Sequence, residues 1–216
     1  MKPVSQEDIL RLLDKLYDQT INGIAQFSPP IDVLANDYLQ KSKSVKAAAK
    51  KCIKNQIAKC TTAGFLTGLG GLITLPVAIP ANVGSVLYVQ MRMIACMAYM
   101  GGYDTNSDQV QTLVYVCLAG ISIDQMLKNV GIQFGEKLGM AIVKKIPGEV
   151  ITKINQKVGF RLLTKFGEKG LINLGKAIPL VGGIIGGAFD LAETKIIANR
   201  AYKLFIKGDL AVLSQE

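Results

Sequence analysis

The sequence predicts an all-α protein: a single-domain helical bundle with Gly-rich, tightly packed helices and a central apolar helical hairpin. Three observations predict it. Apolar residues recur at helical spacing through most of the 216 residues. Sustained strand alternation is missing, and no Asn-Gly or Asp-Gly stands between two alternating runs as a hairpin turn would. No charged residue occurs between Lys59 and Arg92, where the chain reads TTAGFLTGLGGLITLPVAIPANVGSVLYVQ over 61–90. A chain of this length suits one domain with a substantial core. Half its residues are apolar and 19% are charged, against about 25% in typical chains, so disorder is excluded as the dominant state.

The elements follow in order. Ser5, with Glu7 and Asp8 behind it, is a helix start, and Ile9, Leu12, Leu13 and Leu16 form the buried stripe. This helix is expected to stop near Asn22-Gly23, before Ser28-Pro29-Pro30. A short helix over 32–39 completes an N-terminal segment, residues 1–40, expected to pack on the main helical domain, 41–216. Ser44 opens an Ala- and Lys-rich helix that runs into the charge-free stretch. Gly68, Gly70, Gly71, Pro76 and Pro80 interrupt helix there, and a second apolar helix is expected over 81–100, stopped by Gly101-Gly102. Ser107 caps the next helix, 108–120. Periodicity then predicts helices over 122–145, 149–166 and 180–207.

Gly131, Gly135 and Gly139 recur every fourth residue, as do Gly64 and Gly68, Gly182 and Gly186, and Gly183 and Gly187. An interior helix glycine costs about 1 kcal/mol relative to alanine. A bare strip that lets two backbones touch would offset that cost, either inside the bundle or at a membrane-embedded interface.

A spanning helix needs about 20 apolar residues. Cys60 to Ile79 supplies twenty, but four are Gly, four Thr and one Pro. The next candidate, 79–103, carries Arg92 near its centre, at a cost of about 3 kcal/mol. A buried hairpin, or one that dips into a bilayer, is therefore expected over a two-pass anchor. A buried Arg92 requires a partner. Asp104, Asp124 and Asp190 complete a candidate buried charge network, with Arg92 expected to pair with Asp124 or Asp190; the alternative is a snorkelling arginine.

Chemistry is sparsely signalled. Histidine is absent, which removes Ser-His-Asp and Cys-His catalysis and every His-containing metal site. Cys52, Cys60, Cys96 and Cys117 include no C-x-x-C pair, so they read as reduced thiols, and no metal or cofactor is expected. No catalytic residue is assigned. The alternative is a carboxylate-dependent hydrolase of lipid or peptide using Asp104, Asp124 and Asp190. The N-terminus lacks the apolar core of a signal peptide, pointing to the cytoplasm.

The net charge of +9 is concentrated. Residues 41–59 hold seven lysines and no acid, with Lys43, Lys46, Lys50 and Lys54 on one narrow helical face. Residues 137–176 hold nine basic residues against Glu149 and Glu168. There Lys144 and Lys145 precede a ridge of Lys153, Lys157, Arg161 and Lys165, beside the apolar row Ile151, Ile154, Val158, Leu162 and Phe166. A basic ridge beside an apolar stripe suits an anionic membrane surface or lipid. Nucleic acid is the rival partner, disfavoured by low aromatic content, no tryptophan and no recognisable binding module. Plain solvation is the third reading.

The order TTAGFLTGLGGLITLPVAIPANVGSVLYVQMRMIACMAYMGGYD, followed by AIPLVGGIIGGAFDLAETKIIANRAYKLF, resembles the EcsC protein family. The matching motifs are Ala63-Gly64 with Thr67-Gly68, Pro76 with Pro80, Arg92, Gly102-Tyr103-Asp104, and the block from Ile178 to Gly187. The Pro76–Pro80 step carries Val77-Ala78 where relatives often have an acid. The resemblance spans roughly residues 45–207 and implies an EcsC-like helical, membrane-associated bacterial protein, peripheral to the bilayer. It also implies possible service in a membrane complex with a membrane-protein partner, or as a bilayer-perturbing effector. It supplies no catalytic residue.

Overall fold

The computed structural model describes residues 4–60, 81–132, 139–166 and 184–214. It is an all-α bundle, and among the described residues there is no strand beyond an isolated bridge between Ile24 and Ser28. In chain order the helices are α1 (Gln6–Asn22), α2 (Ile31–Gln40), α3 (Val45–Cys60), α4 (Ala81–Met100), α5 (Asp108–Ala119), α6 (Asp124–Lys128), α7 (Met140–Val143), α8 (Gly148–Phe166) and α9 (Ile184–Ala201). Helix α9 passes into a π-helical turn, Tyr202–Ile206, and a 3-10 turn, Leu210–Ser214, follows.

The first half of the chain obeys its local signals. Ser5 Oγ accepts the Asp8 amide while Asp8 reaches back to the Ser5 amide, a complete capping box. Ile9, Leu12, Leu13 and Leu16 of α1 are buried. The helix ends at Gly23, whose φ of +79° suits glycine, and where a Cβ would stand 2.5 Å from the Ser28 carbonyl oxygen. Ser107 caps α5. On α3 the buried residues are Ala48, Ala49, Cys52 and Gln56, so Lys46, Lys50, Lys51 and Lys54 take the opposite face.

Helix α4 is the axis. From Gly84 to Met100 every residue except Val86 and Tyr99 is buried, as befits a helix that is apolar all round. Helices α1, α2, α3, α5 and α9 pack against it. The last third of the charge-free stretch is thus the middle of the bundle, while residues 61–80, its first two-thirds, lie outside the described residues. Each fully buried Met or Leu here contributes about 2 kcal/mol. Helix α8 lies further out, against α1 and α5.

Two expectations fail locally. The helix predicted over 122–145 is broken: α6 closes after one turn and Gly131 takes φ +78°. Gly139 is extended, at φ −141° and ψ 167°, as the residue before α7. Neither glycine sits on a helical stripe, and no heavy atom lies within 4 Å of a Cβ built on Gly131. Gly135 lies outside the described residues, as do Gly64, Gly68, Gly182 and Gly183. Gly186 and Gly187 fall in the first turn of α9. The close approaches occur elsewhere. A Cβ on Gly159 would come 3.0 Å from Gln6 Cγ and 3.1 Å from Leu10 Cγ, where α8 meets α1. One on Gly101 would collide with the Phe205 carbonyl.

Candidate functional site

Arg92 is 3% exposed, in the middle of α4. Its guanidinium donates to the Thr20 carbonyl at 3.1 Å, the Pro29 carbonyl at 2.8 Å and the Tyr88 hydroxyl at 3.4 Å. It also lies 5.7 Å from the centroid of the Tyr88 ring. Tyr88 in turn bonds Ser28 Oγ at 2.6 Å. The arginine therefore clamps the end of α1 and the Pro29 turn onto the core. It neither snorkels nor pairs with a carboxylate among the described residues.

The expected partners are engaged elsewhere. Asp124 accepts from Ser122 Oγ at 2.9 Å and Lys128 Nζ at 3.2 Å, and those two hydrogen bonds hold its carboxyl below the usual range. Asp104 is exposed and accepts the Asn106 amide at 3.0 Å. These aspartates flank opposite ends of α5, a helix that is about 18 Å long at 1.5 Å per residue. They cannot form a two-carboxylate centre with each other. The Asp190 side chain lies outside the described residues.

The basic residues divide into two groups. On α3 and just before it, Lys43, Lys46, Lys50 and Lys54 are all exposed, and Lys51 joins them. Lys41 is tied to Asp37 at 2.5 Å, and Lys59 is half-buried, its pKa lowered first by burial and second by the Arg92 guanidinium. The α8 ridge behaves differently. Lys153 and Arg161 are exposed, as are Lys144 and Lys145 before the helix. Lys157, half-buried, donates to the Ser122 carbonyl at 2.7 Å, and Lys165 pairs with Glu193 of α9. The expected membrane-facing ridge is thus corrected at Lys157 and Lys165, which fasten α8 to its neighbours. Of its apolar row, Ile154, Val158 and Leu162 are fully buried in the core, Ile151 is half-buried, and the Phe166 side chain lies outside the described residues; Phe160 on the same helix is 61% exposed.

Sequence reasoning missed the groove between α3 and α9, a cavity of about 280 Å³. Ile53 and Ile57 of α3 face Ala198 and Tyr202 across it, and Lys50 and Lys195 line it too. The spacing Lys195, Ala198, Asn199, Tyr202 was visible as one helical face. Its neighbour across the groove was not.

The thiols offer little chemistry. Cys52, Cys96 and Cys117 are buried and free. Burial pushes Cys117 up to about 12, and the Cys52 thiol, followed by burial, holds Cys96 well above the ordinary thiol range. No group of three His, Cys, Asp or Glu could hold a metal among the described residues. Among the described residues, too, no helix is long and apolar enough to cross a membrane. No family model, curated protein or solved structure matches the chain.

Proposed function

We propose that the protein is a non-catalytic helical protein that docks peripherally on anionic phospholipid through the lysine face of α3. The observation that carries this reading is the exposed set Lys43, Lys46, Lys50, Lys51 and Lys54 on a segment with no acid between 41 and 59. At about 1 kcal/mol per basic residue near an anionic surface, five lysines supply about 5 kcal/mol. That corresponds to reversible binding in the sub-millimolar range. The resemblance of 61–104 and 177–205 to EcsC proteins supports the same direction, toward a membrane-associated role beside a membrane protein.

Flotation tests it. The protein is expected to rise with vesicles containing phosphatidylglycerol at low salt, to stay behind with phosphatidylcholine alone, and to be released as salt screens the charges. Failure to float with anionic vesicles at low salt would remove the proposal. Dye release in the same vesicles separates docking, which leaves them sealed, from bilayer perturbation.

A further inference from the structure

We infer that the groove between α3 and α9 takes one acyl chain of an anionic phospholipid, its phosphate held between Lys50 and Lys195. The inference rests on the docking reading and adds to it a specific seat. Charge complementarity carries it. The floor is apolar, formed by Ile53, Ile57 and Ala198 with the Tyr202 ring, and no carboxylate among the described residues lines the cavity. Lys50 stands on one helix and Lys195 on the other, and both are exposed. A third amine, Lys207 Nζ, lies 5.9 Å from the centroid of the Tyr202 ring. Beside Lys195, Ile196 is 67% exposed, an apolar side chain that a bilayer would cover.

The groove is an open cavity of about 280 Å³, near the lower end of small-molecule sites at about 300 Å³, and its two amines flank an apolar floor, the arrangement that a phosphate with its attached chain complements.

The chain contains no tryptophan, so one placed at exposed Asn199 on the groove lip is an unambiguous reporter. Asn199→Trp protein is mixed with phosphatidylglycerol vesicles whose acyl chains carry bromine, a contact quencher. Quenching is expected, and Lys195→Glu in the same background should weaken it by about fivefold or more. Flotation through the α3 lysines should persist in that variant. Monomeric dodecyl phosphate, below its micelle concentration, should compete for the quenching. Flotation without quenching would overturn the groove while leaving docking intact. Dodecyl phosphate binding without flotation would overturn the bilayer as the source. Absence of both would overturn the groove and the docking together.

Discussion

Arg92 shows what a single buried cation does without an ion pair among the described residues. Backbone carbonyls of Thr20 and Pro29 satisfy it, so the arginine orders the α1–α2 turn and the turn desolvates the arginine. Replacing it, as Arg92→Met, strands both carbonyls. The expected loss is about 3 kcal/mol, and about 10 °C in Tm for a chain of this size. Arg92→Lys, reaching one carbonyl at most, should recover only part of it. An unchanged Tm in the methionine variant would contradict the clamp. A second residue-scale prediction concerns pH. Burial holds the Cys117 proton up to about 12, and raises Tyr17, Tyr38, Tyr103 and Tyr115 as well. The unfolded chain releases these protons from about 8.5 for cysteine and about 10 for tyrosine. The folded chain keeps them longer, so their contribution to stability is complete below that range and lost as pH rises through it. Urea midpoints of reduced protein should therefore fall steadily above pH ~9, and less steeply in Cys117→Ala. A flat profile would show these groups to be solvated.

At the scale of the element, glycine divides into two kinds. Gly131 serves backbone conformation at φ +78° with open space around it, whereas Gly159 serves contact between α8 and α1. Gly131→Ala should cost about 1 kcal/mol, and Gly131→Asn less, because asparagine tolerates the left-handed region. Gly159→Leu should cost about 2 kcal/mol through overpacking. Thermal melts of the three variants check the order; asparagine worse than alanine at 131 would restore a packing role there. The same helices show what a sequence discloses. Ends marked by caps and breakers, such as Ser5, Gly23, Ser107 and Gly101-Gly102, were legible, because their chemistry acts on the adjacent backbone. At Gly131 and Gly139 the four-residue glycine spacing misled, because period alone does not distinguish a helical stripe from a turn. The partner of Arg92 was illegible for another reason: it is a pair of carbonyls, which every residue possesses. On α8 the pattern gave the apolar row correctly but not what covers it, and Lys157 and Lys165 turned inward with it.

For the whole molecule, the fold explains why function is sought at the surface. Helix α4 spends the most apolar described segment on the core, and Ile154, Val158 and Leu162 of α8 are buried likewise. Scattered apolar side chains such as Phe160 and Ile196 remain outward, and with them charge, concentrated on α3 and matched there by no acid. Docking should then be electrostatic in range and reversible, with affinity falling as ionic strength rises. A basic chain could reach an anionic surface through any of its cations, however, so binding alone leaves the docking face open. The most direct measurement is vesicle flotation of folded charge-reversal variants, with circular dichroism confirming helix content. Lys46→Glu, Lys50→Glu and Lys54→Glu together should lower affinity for phosphatidylglycerol vesicles by about a hundredfold or more. Lys144→Glu, Lys153→Glu and Arg161→Glu, with the same change in net charge, should leave most of it. Equal loss in the two variants, or none in either, would contradict the assignment of the docking face to α3.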